Sequence, residues 1–501
     1  MSKIRVTYSG LIAFAVRLVS IFTGFIFILI VTRQLTEQEF GTWTLVGSLI
    51  AYVVIIEPVI SYWVTRETAR NTPSGKTAVG TSGIFSIGAI FAYILISFLV
   101  GHQSDADVEV LFFAVILVPL MFIDKTLRGI NSGWRPHVNS YGFLVIEITK
   151  IPIAFYLLYF MNMGVKGAII ATTVGYAINV GLLAYYARPK IKSKFRILFV
   201  RKWFKLSWLP LYREIPVVVF LSDVIIFSII TGSVIGIAYI TAARAVTSIV
   251  AHTSAISRGV YPKLLEGGKQ EYLQENLMRV LFFAIPFTAL TITFARPVLY
   301  ALNPIYEIAV PIVLLLAPRT FFSTINKVLW AALQGIEKID VKESATFKEY
   351  IKSKLFLIPT LRMIQYGSYV ALLIIVLFIM TSEQSSQLDM VIVWAIIGVS
   401  TEIPFFVYTL YLTKKYFSLK LDLKSLLKYS LTTILVFSGV YYLMENFLEY
   451  SQSIFEFLPN LLVYVILAAL AYIGLTYLID SRTKLLFKSI INEVFFKSKH
   501  N

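Results

Sequence analysis

Residues 77–104 read TAVGTSGIFSIGAIFAYILISFLVGHQS, an apolar run bounded by Lys76 and Asp105 with no charged residue between them. A helix rises about 1.5 Å per residue and the hydrocarbon core of a bilayer is about 30 Å thick, so about 20 apolar residues suffice to cross it. The run exceeds that length. Two more uncharged runs do the same, from Lys166 to Arg188 and from Glu456 to Asp480. Backbone groups in lipid must bond within their own segment or inside a closed barrel. Barrel strands read as alternating segments of about ten residues, and these continuous runs do not alternate. The sequence therefore predicts an all-α polytopic membrane protein.

Reading outward from that run gives fourteen candidate spans. They lie near 9–32, 43–64, 79–100, 109–130, 141–160, 166–187, 208–230 and 234–255, then 279–295, 308–330, 362–381, 390–413, 428–445 and 457–479. Two are less clean: the fourth ends in Asp124-Lys125, and the ninth has only 16 residues between Arg279 and Arg296. Composition agrees, since 57% of the 501 residues are hydrophobic and 15% charged, against about 25% charged in an ordinary globular chain. A soluble enzyme, a nucleic-acid module and a disordered chain are thereby disfavoured. The absence of Cys excludes disulfides and thiolate metal sites. Met1-Ser2-Lys3-Ile4-Arg5 leads straight into apolar sequence without a small-residue cleavage pattern, so no cleavable signal is expected.

The net charge of +17 has a membrane explanation. With the amino terminus placed in the cytoplasm, 36 of the 45 Lys and Arg fall in the even-numbered connections and the two termini. Arg33, Lys166 and Arg296 alone fall on the other side. That asymmetry is the positive-inside pattern and predicts cytoplasmic termini in a plasma membrane. Basic loops beside an anionic leaflet need no nucleic acid as partner.

The densest basic stretch, Arg188–Lys205 (RPKIKSKFRILFVRKWFK), separates the sixth span from the seventh. This predicts an N-lobe over 1–187, a basic cytoplasmic linker over 188–207, a C-lobe over 208–415, and two further helices with a cytoplasmic tail over 416–501. Transporters are commonly built from two such repeats. Val341–Phe356 reads as an interfacial amphipathic helix.

Charges within the spans carry the mechanism. An ionised side chain at the bilayer centre costs roughly 2.5–3.5 kcal/mol on insertion scales, and those that persist face a bundle interior or a wet cavity. They are Arg17, Glu57, Glu147, Lys150, Arg213, Glu214, Asp223, Arg244, Arg319, Lys327 and Glu402. From helical rise, Arg17 lies roughly 12 Å from the cytoplasmic end of its span, and Arg244 and Arg319 about 15 Å from the outer end of theirs. Those three and Glu402 sit near the midplane. Lys327, Arg213 and Glu214 are close enough to an end to snorkel. Glu147 and Lys150, three apart on one helix face, read as a structural ion pair, and Arg17 with Glu57 is either another such pair or part of the cargo site. Arginine presents a planar fork of donors suited to phosphate and stays charged at any relevant pH. A cavity lined by Arg17, Arg244 and Arg319 is thus predicted to hold a phosphate or diphosphate, with Glu57, Asp223 and Glu402 as coupling or gating carboxylates.

Prolines sit beside several of these charges: Pro58 after Glu57, Pro210 and Pro216 around Arg213, Pro318 before Arg319 and Pro404 after Glu402. Each removes a helical hydrogen bond and favours a kink. No glycine-rich phosphate loop is present, which argues against ATP hydrolysis. The four His are too scattered for a metal site, and no cofactor is expected beyond a coupling proton or sodium gradient or the membrane potential.

Residues 32–43, TRQLTEQEFGTW, resemble the pattern of Arg, Leu, an acidic residue and Phe-Gly with a following aromatic found in the polysaccharide or O-antigen flippase family of the multidrug/oligosaccharidyl-lipid/polysaccharide (MOP) exporter superfamily. Residues 236–244, GIAYITAAR, resemble that family's eighth helix. The resemblance implies two six-helix lobes around a cavity that opens alternately to each side, and transport of lipid-diphosphate-linked oligosaccharides to the outer leaflet. In the related lipid II flippases, cationic residues of helices 1, 2 and 8 line the cavity; Arg17 and Arg244 match two of these by helix position. Helix 2 departs from the pattern, carrying Glu57 instead of a cation, which puts a lipid II cargo in doubt. The implied partners are the lipid-linked oligosaccharide, membrane lipids and the glycan-assembly machinery, with the chain acting as a monomer. Two alternatives remain at this stage: a multidrug or cation antiporter of the same architecture, and a membrane-embedded glycosyltransferase, polymerase or scaffold subunit.

Overall fold

In the computed structural model, which describes residues 22–205, 207–257, 270–337, 351–419 and 421–491 with Val19, Leu264 and Glu349, every regular element is helical. The first half holds α1 (Phe22–Gln34), α2 (Glu37–Val53), α3 (Pro58–Ala69), α4 (Gly75–Gln103), α5 (Val108–Phe113) and α6 (Leu117–Trp134). It continues through α7 (Val138–Phe155), α8 (Gly164–Ile191), α9 (Ile197–Lys205), α10 (Trp208–Thr231) and α11 (Ile235–His252). The second half holds α12 (Gln270–Thr293), α13 (Ala295–Leu302), α14 (Val310–Gly335), α15 (Lys354–Ser382), α16 (Gln387–Tyr416), α17 (Leu423–Phe447), α18 (Ile454–Ile479) and α19 (Ser481–Ile491).

Thirteen helical segments among the described residues are long and apolar enough to cross a membrane, and each overlaps one of the predicted spans, the second being shifted to Glu37–Ile56. The chain is a multi-pass membrane protein. Most of the first predicted span lies outside the described residues, and only its end appears, as α1. Helix lengths depart from the apolar runs. The 16-residue ninth run belongs to α12, which begins at Gln270, because polar turns continue a helix past the hydrocarbon. The predicted amphipathic segment 341–356 falls mostly outside the described residues, and its end, from Lys354, is the first turn of α15.

The chain divides into two compact units, residues 1–241 with 359–397, and residues 242–358 with 398–501. In the first, Ile60, Val64, Leu127, Ile130, Leu183 and Trp203 form one apolar core. In the second, one core gathers around Leu277, Leu329 and Trp330, and another around Phe282, Tyr300, Phe457 and Tyr472. Asp480 fastens the last three helices there: it accepts hydrogen bonds from the Tyr429 hydroxyl at 3.0 Å and the Thr483 amide at 3.0 Å, with Lys428 at 3.4 Å. Burial raises the Asp480 carboxyl, but these donors outweigh it and hold the group below the usual carboxylate range. Asp422 is held low as well, by the Ser425 amide and hydroxyl with Arg482 beside it.

Within the first unit the Thr-Arg-Gln-Leu-Thr-Glu-Gln-Glu-Phe-Gly stretch has a local physical role. Thr36 caps α2: its hydroxyl accepts from the Glu39 amide at 3.2 Å, and Glu39 returns a carboxylate to the Thr36 amide at 2.9 Å. This reciprocal arrangement satisfies two of the orphan donors at a helix start. Phe40 follows into the core. Gly41 lets α2 meet the start of α11, since a Cβ there would stand 2.1 Å from the Val234 carbonyl oxygen. Asp105 closes the corner, its carboxylate accepting from the Val234 amide at 2.7 Å and the Ser233 hydroxyl at 2.9 Å. The two stretches that resemble the flippase family therefore meet at one end of one unit.

Gly41→Ala should lower the melting temperature of the purified protein clearly, because the obstructing atom is backbone. Gly47→Ala, on the same helix with no atom within 4 Å of the new methyl, should leave it unchanged or raise it slightly, since Ala is favoured over Gly in a helix by about 0.5–1 kcal/mol. Equal effects at both positions would contradict the close approach.

Candidate functional site

The deep charges divide by unit, and most have partners that the sequence does not announce. Glu57 sits where α2 gives way to α3. Pro58 has no backbone donor and a fixed φ, so it suits the first position of a new helix, and the chain tightens into a 3-10 turn over Val54–Ile56 just before it. Glu57 is fully buried at this joint. Its Oε1 accepts from the Thr126 hydroxyl at 2.8 Å, and its Oε2 is buried with no hydrogen-bond partner among the described residues.

Thr126 belongs to α6, which is entered through a similar 3-10 turn at Ala114–Ile116, with Pro119 in its first turn. One face of α6 carries a second polar knot. Asp124 pairs with Arg128 at 2.7 Å and accepts from the Asn179 amide of α8. Arg128 also donates to the Asn139 carbonyl at 3.2 Å and lies over the Phe143 ring. Gly142 leaves room for the Asn179 side chain, since a Cβ there would stand 2.3 Å from its Oδ1. The expected pair on α7 is present: Lys150 lies 2.8 Å from Glu147, with its ammonium over the Phe27 ring.

Asp223, on α10, is buried among aromatics. It accepts from the Tyr369 hydroxyl at 2.9 Å and from the Val224 amide at 2.8 Å. The Trp394 indole donates in turn to the Tyr369 oxygen and stacks on Phe227 at 5.0 Å. The chain Trp394–Tyr369–Asp223 is a relay of neutral donors ending on a carboxylate.

In the second unit, Arg244 and Arg319 each lie nine residues into their helix, about 14 Å along the axis at the usual rise. Both are half-buried. Arg319 rests flat against α16 where Gly398 offers no side chain: a Cβ there would meet its Nη1 at 2.6 Å and its Nε at 3.0 Å. One turn on, Glu402 is buried and accepts from the Asn326 amide at 3.1 Å. Further along, the Trp330 indole donates to the Thr409 hydroxyl at 3.3 Å. Arg319 and Glu402 are thus brought to the same pair of helices, α14 and α16. Arg213, five residues into α10, and Lys327, eight residues before the end of α14, are both exposed. Arg17 lies outside the described residues.

Sequence reasoning missed Thr126, Asn179, Asn326, Tyr369 and Trp394. Only a polar residue interrupting an apolar run could have flagged the two asparagines, and Tyr and Trp carry no such flag in a chain with 29 Tyr and 7 Trp.

No protein-family profile matches this sequence, and no curated protein matches it significantly. Solved structures do share its fold. The lipid II flippase MurJ in an inward-closed conformation superposes with a TM-score of 0.64 at 13% identity, covering 96% of this chain and all of that one. An inward-facing multidrug resistance MATE family transporter of the MOP superfamily gives 0.56 at 14% identity over 81% of this chain and 98% of its own. A MOP superfamily transporter from Pyrococcus furiosus, described as having a binding pocket of reverse polarity, gives 0.50 at 15% identity, over 82% and 95% of the two chains. The chain shares the fold of these transporters.

Tyr369→Phe removes the hydroxyl that donates to the Asp223 carboxylate and accepts from the Trp394 indole. Breaking hydrogen bonds to buried groups costs about 1–3 kcal/mol, so the variant should melt below the wild type. An unchanged melting temperature would contradict the relay.

Proposed function

We propose that this chain is a flippase that carries a polyprenyl-diphosphate-linked oligosaccharide from the cytoplasmic to the outer leaflet of the plasma membrane, for assembly of a surface polysaccharide or other glycan. It is a transporter and not an enzyme. Arg17, Arg244 and Arg319 hold the diphosphate, the glycan occupies a wet cavity, and the polyprenyl tail stays in lipid. Transport proceeds by alternating access, a rocking of two repeats around the bound headgroup. Its termini face the cytoplasm, and it works as a monomer near the glycan-assembly machinery.

The observation that carries this reading is the half-buried placement of Arg244 and Arg319 midway along membrane-spanning helices, a costly position that an anionic headgroup would repay. The architecture adds support, since the likeness to a lipid flippase extends over 96% of the chain, including the two last spans, and the likeness to the MATE transporter over 81%.

Coupling falls to the buried carboxylates Glu57, Asp223 and Glu402. Glu57 is the best placed of them, because it is fully buried at a broken helix and its Oε2 has no hydrogen-bond partner among the described residues, where a proton would sit. The same three carboxylates favour a second reading, an antiporter of lipophilic cations. Tight binding of such cations by the purified protein, without effect of lipid-linked glycan, would decide for it.

In a glycan-export assay at matched expression, Arg244→Gln and Arg319→Gln should each reduce export about tenfold or more, roughly 1.4 kcal/mol in transition-state terms. Gly398→Val should mimic Arg319→Gln while leaving every charge in place, because the new side chain displaces the guanidinium. Replacing Glu147 and Lys150 together by Gln and Met should leave export intact. Full export by both arginine variants would remove the anion site.

A further inference from the structure

Where α4 begins and α8 ends, the first unit carries an open pocket of about 550 Å³ that the transport reading does not use. Its upper rim is Lys76, Arg188 and Lys192, all exposed, and its apolar side is Gly181, Ala184 and Tyr185. Among the described residues none of the three cations makes an ion pair. Lys190, between them, is already engaged: its ammonium donates to Asn71 at 2.9 Å and lies 4.3 Å from the Trp134 ring centre.

The pocket is built on fixed backbone. Gly75 lies so close to α8 that a Cβ would stand 2.5 Å from the Lys190 carbonyl oxygen. The Lys76 amide donates to the Ser193 hydroxyl at 3.2 Å, and the Arg196 amide to the Thr77 hydroxyl at 3.0 Å. Beside it, α9 is docked by the buried Trp203, whose indole donates to Glu67 at 3.2 Å, and by Phe204 stacked on Phe85. Docking leaves Phe195, Ile197 and Leu198 exposed, the last at 73%, among Arg196, Arg201 and Lys202. An amphipathic helix with apolar residues between cations suits the lipid headgroup boundary, which is where the ends of two membrane-crossing helices place it.

We infer that this pocket seats one anionic phospholipid. The headgroup phosphate lies between Lys76, Arg188 and Lys192, and one acyl chain runs down α8 past Ala184 and the open space at Gly181, where no atom lies within 4 Å of a Cβ position. Charge sets the headgroup: three like charges gathered without an acid repel one another until an anion joins them. The apolar wall continuing along a membrane helix sets the source as lipid in preference to a soluble phosphate. None of the proposed cargo arginines lines this seat, and the inference does not depend on them.

The test is native mass spectrometry of the full chain released from nanodiscs of equal parts phosphatidylglycerol and phosphatidylcholine. The wild type should retain phosphatidylglycerol over phosphatidylcholine by about tenfold, and the Lys76→Gln, Arg188→Gln, Lys192→Gln triple variant should lose that preference. A charge-matched control, Lys414→Gln, Lys415→Gln, Lys424→Gln, should keep it. Gly181→Phe, which fills the acyl path and keeps all three charges, should also lose it and serves if the triple variant does not fold. Equal retention by the triple variant and the control, or wild-type retention of both lipids alike, would overturn the site. Displacement of the lipid by millimolar inorganic phosphate would overturn its assignment to lipid.

Discussion

The interior of a bilayer offers no hydrogen-bond partner, and every polar group that enters it must bring its own. The backbone meets this demand by forming helices throughout. The ionisable side chains meet it by drawing donors from neighbouring helices: Asp124 from Asn179, Asp223 from Tyr369, Glu402 from Asn326. Each of these contacts ties two helices together at a fixed depth, so the cost of a buried charge becomes a specification of packing. Proline joints follow the same logic. At Glu57-Pro58 the broken helix holds a fully buried carboxylate, one oxygen of which has no hydrogen-bond partner among the described residues.

This constraint explains what could be read from the sequence. The spans were legible because hydrocarbon thickness sets a minimum apolar length, and Thr77–Ser104 announces itself without any alignment. The Glu147–Lys150 pair was legible because it is local, three residues apart on one helix. The other buried partners were not, because Asn179 and Asp124, or Tyr369 and Asp223, come from helices distant in sequence and are neutral on one side. Helix ends were also hidden. Polar residues such as those opening α12 look like loop in a hydropathy reading, yet they continue the helix beyond the membrane.

The residues that carry the family resemblance prove to be architectural. Thr36 and Glu39 cap a helix, and Gly41 admits the start of another. A likeness at those positions testifies to a shared fold, in agreement with the superposition on a lipid flippase and on MATE transporters. Cargo must be argued from a different set, the half-buried guanidinium groups of Arg244 and Arg319. Their difference from the Asp124 knot is physical. Asp124 and Asn179 are buried, whereas the two arginines keep part of their surface open.

The chain has no native Cys, so that difference can be measured directly with single cysteines placed at 244, 319 and 179 and a membrane-impermeant thiol reagent. Labelling at 244 and 319, with position 179 silent, is the result this account predicts. Silence at 244 and 319 under all conditions would contradict it, because arginines sealed from water cannot receive and release a hydrated anionic headgroup.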